Sequence, residues 1–166
     1  EKGRAPEVIE LSSLKDEMNI VCVGMIGAPS VGSEKLPSTD EFVHVIKHFE
    51  KALGKKIDAL IPVEGGGVNA MYPFSMAIAN GIPIINADCM GRAFPELQMT
   101  TPFIYGKNEI ASIAVLSNGK DTIVINASDS TSLEMQARAV ATQLGGTATI
   151  ACMPMTGKQA KLWCIA

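Results

Sequence analysis

At 166 residues, with 47% hydrophobic and 19% charged residues, the chain can bury a core in one domain and is too apolar for a disordered segment. A net charge of −3 with no basic run argues against nucleic acid or an anionic membrane surface as partner. No apolar stretch approaches the roughly 18 residues of a spanning helix, residues 1–6 open without a signal-peptide core, and four scattered cysteines form no C-x-x-C pair, so the sequence reads as a reduced, cytoplasmic protein.

A short strand is expected over residues 8–11 and a stronger, β-branched one over 19–26, closed by Gly27, Ala28 and Pro29. Residues 27–37 carry glycine and proline breakers and read as a loop. Ser38 to Glu41 has the S-x-x-E form of a capping box. The helix it opens puts Phe42, Val45, Ile46, Phe49 and Leu53 on one face and stops at Gly54. A buried strand at 59–63 leads into a glycine loop, E-G-G-G-V-N, at 64–69. The next helix is expected to begin near Pro73 and end at Gly81, followed by a strand over 82–87.

After residue 100 the pattern changes. Strands are expected at 101–105, 110–116 and 122–126 without helices between them, the last two joined by a hairpin turn at Asn118–Gly119. An amphipathic helix over 130–144 ends at Gly145 and Gly146, a strand covers 147–152, and residues 157–166 open a last helix. Together these elements predict an α/β fold in a single domain over residues 1–166. Its sheet is mixed and mainly parallel, with helices on both faces, followed by a hairpin-containing segment.

The stretch 83–99 carries the densest chemistry. A core strand empties into Asp88, Arg92 and Glu96, spaced by Gly91. In open α/β sheets, ligands sit beyond the carboxyl ends of strands. The plainer alternative is a carboxylate–arginine set that orders a loop. Gly65, Gly66 and Gly67 follow another strand and can bring backbone N–H groups close to ligand oxygens, with Glu64 and Asn69 beside them. There is no G-x-G-x-x-G and no G-K-[ST], which disfavours a nucleotide site. Parallel strands would bring both loops to one crevice, with Ser30 and Ser33 after Gly27 as a third wall. There a carboxylate can act as a general base and Arg92 can hold an anion.

His44 and His48 have the i, i+4 spacing of a metal pair but lie on the solvated helix face, away from the apolar stripe. Cys89 is a conceivable nucleophile without a histidine nearby in sequence, and an inert thiol is the simpler reading. Residues 153–159 form a strand-to-helix junction that reads more simply as a helix start than as an anion-binding turn.

A-L-I-P-V-E-G-G-G-V-N (59–69), D-C-M-G-R-A-F-P-E-L-Q-M-T-T (88–101), P-M-T-G-K-Q-A-K (154–161) and G-M-I-G-A-P-S-V-G-S-E-K-L-P-S (24–38) resemble the DUF917 family. Its members are also described as S-methyl-thiohydantoin desulfurases and hydantoinase-associated proteins. The likeness runs from about residue 7 to the end and implies action on a hydantoin-like ring, by hydrolytic loss of a methylthio group or a related ring hydrolysis. Family members are about twice this length, with a glycine-rich opening segment and a further β-rich domain. The chain therefore reads as their middle α/β portion or a short form, and Cys89 stands where a small residue is expected.

Under this resemblance Asp88 or Glu96 would activate water, and Arg92 with the Gly65–Gly67 amides would hold the developing charge. Glu64, Asn69 and Gly91 would bind substrate. The competing class is a non-catalytic module that binds a small molecule or a partner enzyme. Carboxylate ligands alone give no diagnostic spacing, so the sequence leaves the metal and cofactor question open. The expected partners are a small-molecule substrate and either a second copy of the chain or the further family segments.

Overall fold

The computed structural model describes residues 5–34 and 37–166, with Ser33 and Val68 described by their backbone alone. Seven strands form one sheet: β1 (Val8–Glu10), β2 (Asn19–Gly27), β3 (Ala59–Pro62), β4 (Ile84–Asn86), β5 (Ile113–Ser117), β6 (Thr122–Asn126) and β7 (Thr147–Thr156). Their spatial order is β1-β4-β3-β2-β7-β5-β6. The pairings β1–β4, β4–β3 and β3–β2 are parallel, whereas β2–β7, β7–β5 and β5–β6 are antiparallel. The sheet is thus mixed in equal halves rather than mainly parallel. β7 causes this by returning to insert between β2 and β5, which no local pattern announces.

Side-chain alternation builds a core on each face. Ile20, Cys22, Ile61 and Leu116 point to one face. There they pack against α4 (Thr101–Gly106), α5 (Ser130–Gln143) and α6 (Gly157–Trp163) through residues such as Phe103, Leu133 and Ala160. Val21, Val23, Leu60 and Val115 point to the other, under α2 (Thr39–Leu53) and α3 (Val68–Asn80). The α2 stripe predicted from sequence is the buried face. Its Phe49 is fully enclosed, and burying a side chain of that size contributes roughly 1.5–3 kcal/mol. The capping box is present, Ser38 and Glu41 exchanging side-chain and backbone hydrogen bonds, and Gly54 closes the helix with φ 70°.

Several boundaries move for identifiable reasons. Residues 101–105 are helix α4, not a strand: Pro102 sits in the first turn, where its fixed φ and missing N–H suit a helix start. Leu11 leaves β1 for a 3₁₀ turn. The 27–37 loop contains a short helix, α1 (Pro29–Glu34). α3 begins at Val68 instead of near Pro73, so Pro73 is interior and one backbone hydrogen bond is forgone. β7 runs past Cys152 to Thr156 because the register slips between Ile20 and Cys22. That bulge takes Met153 to φ 52° and accommodates Pro154 inside a central strand.

Candidate functional site

Parallel β2, β3 and β4 end at the same sheet edge, and a crevice of about 420 Å³ opens there. Met25, Val63, Met90 and Ile150 give it apolar walls. Its polar lining comes from Glu64, Asn69, Glu96, Glu134 and Arg138. Gly27 and Pro29 contribute a third wall from the start of α1. The side chain of Ser33, expected in that wall, lies outside the described residues.

Asn69, in the first turn of α3, organises one side. Its Oδ1 accepts the backbone N–H of Met25 at 2.8 Å, and its Nδ2 donates to Glu64 Oε1 at 3.1 Å. Gly24 makes the approach possible, since a Cβ there would lie 2.8 Å from Val63 Cγ1 and 3.3 Å from Asn69 Oδ1. Among the described residues Glu64 Oε2 has no protein partner.

α5 supplies a wall that sequence reasoning missed. Glu134 is buried, and its Oε2 accepts the backbone N–H of Leu97 at 3.0 Å. Its Oε1 accepts from Arg138 Nε at 2.7 Å and also from Nη2, which in turn donates to the carbonyl of Pro95 at 2.7 Å. The pair fixes the segment that brings Glu96 into the crevice. The available signal was a carboxylate inside the apolar stripe of Leu133, Ala137 and Ala141, with an arginine four residues on.

The predicted cluster of Asp88, Arg92 and Glu96 is divided. Glu96 enters the crevice, where Gln98 Nε2 donates to its Oε2. Asp88 faces a second, smaller crevice of about 280 Å³ together with Gly65, Phe74 and Ile165. Its Oδ2 accepts the Gly65 N–H at 2.8 Å, and its Oδ1 accepts those of Met90 at 2.9 Å and Gly91 at 2.6 Å. Both oxygens therefore order backbone. Arg92 is exposed, its guanidinium 5.8 Å from the centre of the Phe94 ring, and among the described residues no ion pair joins it to Asp88 or Glu96. Gly65 meets Asp88, whereas Gly66 faces open space and Gly67, at φ 60°, begins α3.

All four cysteines are free thiols. Cys22 and Cys152 are opposed across β2 and β7, and Cys89 Sγ lies 3.9 Å from Cys164 Sγ. The hydrogen bond with Cys164, seconded by one with Cys22, draws the buried Cys89 thiol down to about 6, and the same bond pushes Cys164 well up. His48 Nδ1 is 2.8 Å from the His44 carbonyl oxygen. Among the described residues no group of three or more His, Cys, Asp or Glu side chains is arranged to hold a metal. The 153–159 junction is a helix start, with Thr156 and Gln159 forming a capping box on α6. No helix among the described residues is long and apolar enough to cross a membrane.

The family model for the S-Me-THD-like N-terminal domain matches residues 1–127. This chain belongs to the S-Me-THD-like family. Comparison with curated proteins finds no match. The crystal structure of a protein from Chromobacterium violaceum superposes with a TM-score of 0.80 at 22% identity, covering 96% of this chain and 46% of that one. At that identity the likeness establishes the fold, and the S-Me-THD-like chain spans about half the length of that neighbour.

Proposed function

We propose that the crevice at the ends of β2 and β3 binds a hydantoin-like ring and that the protein acts as a hydrolase of the S-methyl-thiohydantoin desulfurase type. The observation that carries this reading is Glu64, held by Asn69 through one oxygen while the other is open to a crevice that also holds Arg138 and Glu96. A cyclic amide offers N–H groups to carboxylates and carbonyl oxygens to a guanidinium, and the apolar walls suit the faces of a flat ring.

In the reaction, Glu64 or Glu96 takes a proton from water, whose oxygen attacks the ring carbon bearing the methylthio group. Arg138 offsets the negative charge that develops on the ring. The carbon–sulfur bond breaks, the released thiolate takes up the proton held by the carboxylate, the second water proton moves from oxygen to the ring nitrogen, and the products are the hydantoin and methanethiol. Asp88 acts one step away, by holding Gly65 and the 90–91 turn.

A second reading has its own support. Asp88 spends both oxygens on backbone N–H groups, and Glu134 spends one on backbone and one on Arg138, as in a binding module whose carboxylates order loops. A thermal-shift titration against hydantoin, S-methyl-thiohydantoin and carboxylated analogues, with nucleotides as controls, tests the ring site. At 100 Kd a ligand bound only to the folded state adds about 2.7 kcal/mol. A dose-dependent shift with the hydantoins alone supports the proposal, and its absence in a cooperatively melting sample overturns it. Methanethiol release by the wild type that is lost in E64Q or E96Q, while the ligand-induced thermal shift persists, separates catalysis from binding.

A further inference from the structure

Asp88 and Ile165 exchange both backbone hydrogen bonds, Asp88 N–H to Ile165 O at 2.8 Å and Ile165 N–H to Asp88 O at 2.9 Å. In an antiparallel ladder, the pair next to a hydrogen-bonded one is directly opposed without hydrogen bonds, its Cα atoms about 4.5 Å apart. Asp88–Ile165 is an isolated bridge, and Cys89 and Cys164 are the residues that follow and precede it on the two segments. A disulfide spans roughly 4.4–6.8 Å between Cα atoms, a range that the positions beside an antiparallel bridge can meet. The two sulfurs are already 3.9 Å apart, so bonding asks for side-chain rotation and little backbone movement.

We propose that Cys89 and Cys164 are an oxidation site that closes to a reversible disulfide and fastens the C-terminal segment to the 88–91 turn. Exposure selects this pair over the other one. Cys22 and Cys152 also face each other, but both are sealed between the sheet and its helices. Cys164 is partly exposed, which gives a small oxidant one point of entry. The shared hydrogen bond draws Cys89 down and pushes Cys164 up, so Cys89 is the thiolate that can take the proton from Cys164 when Cys164 attacks.

The oxidant is a low-molecular-weight disulfide. The Cys164 sulfur attacks one of its two sulfurs as its proton passes to the Cys89 thiolate, a mixed disulfide forms, and the first small thiol leaves with the proton that Cys89 had released. The Cys89 sulfur then attacks Sγ of Cys164. The protein disulfide forms, the mixed disulfide breaks, and the second small thiol leaves with the proton of Cys89. Two protein thiols lose two electrons, and the oxidant becomes two thiols.

The link joins residues 75 positions apart, and a bridge over a long loop restrains the unfolded chain. It also stiffens the turn that presents Met90 to the crevice. The inference stands whether or not the crevice binds a hydantoin.

The test treats the protein with oxidised glutathione, alkylates it under denaturing conditions, and maps the peptides without reduction. The expected result is loss of two of the four thiols, a peptide joining Cys89 to Cys164, and a rise in Tm that dithiothreitol reverses. C164S should retain its remaining thiols and show no rise. C22S should still form the link, which keeps the test decisive if a Cys89 variant does not fold. An unchanged thiol count, a Cys22–Cys152 peptide, or a stable glutathione adduct on Cys164 would each overturn the proposal.

Discussion

Asn69 Oδ1 accepts the backbone N–H of Met25 at 2.8 Å, joining positions 44 residues apart. One amide therefore ties the start of α3 to β2 and, through its other end, sets the direction of Glu64. Removing it by N69A leaves a strand N–H without its partner, a loss of about 1–3 kcal/mol. Urea denaturation checks the magnitude. N69D keeps an acceptor for Met25 but sets a second carboxylate against Glu64. Its deficit relative to wild type should grow as pH rises through the carboxylate range, and a deficit independent of pH would contradict the bond to Glu64.

Gly65 and Gly66 are neighbours with opposite expectations. A Cβ at Gly65 would sit 2.6 Å from Asp88 Oδ2. Asp88 cannot easily retreat, because its other oxygen holds Met90 and Gly91. G65A should displace the carboxylate and loosen the 88–91 turn, lowering Tm measurably. A Cβ at Gly66 meets nothing within 4 Å, and G66A should stay within about 0.5 kcal/mol of wild type. Equal Tm values for the two variants would refute the contact.

These relationships mark how far the sequence could be read. α2 was legible because its cap, stripe and terminal glycine agree, and the β5–β6 hairpin because Asn118 and Gly119 specify their turn. Position β7 was not, since strand order across the sheet depends on contacts more than 100 residues apart, as in the pairing of Ile20 with Met155. Residues 101–105 looked like a strand because β-branched and aromatic types dominate, and Pro102 decided otherwise. In the site, Glu64 and Asn69 were legible from their place at a strand end. Asp88 and Glu96 were not separable in sequence, because the chain turns between them at Gly91, φ 71°. Glu134 and Arg138 reach the crevice only through packing of α5.

Asp129 gives the fold an acid-sensitive cap. It precedes α5, and the backbone N–H of Ser132, at 2.8 Å from Oδ1, holds its carboxyl below the usual value, with a smaller contribution from Ser128. A depressed folded-state pKa contributes stability that is present above the unfolded value of about 3.9 and is lost as pH falls through the folded one. The stability of wild type should therefore decline in that window below pH 4. D129N retains a capping oxygen without the charge and should lose less between pH 5 and pH 2. Parallel urea curves for the two proteins across that range would show that the cap carries no titration.

Glu134 and Arg138 supply the sharpest test of how the crevice is built. Glu134 is 6% exposed, whereas the Arg138 side chain is 45% exposed, so the two removals are unequal. E134A strands the Leu97 N–H, at a loss of about 1–3 kcal/mol, and leaves the half-exposed Arg138 to solvent. E134Q keeps an acceptor for Leu97 and gives up the charge pairing, with a smaller loss of about 1–2 kcal/mol. R138M leaves a buried carboxylate without its cation, at a loss of about 3–5 kcal/mol. The double variant E134Q/R138M should recover part of that loss. A double-mutant cycle by urea denaturation reads the coupling directly. Additive losses would mean that the two side chains hold the 95–97 segment independently. Coupling would make them the support on which Glu96 is presented, and ligand-induced shifts would then fall in E134Q even where the fold survives.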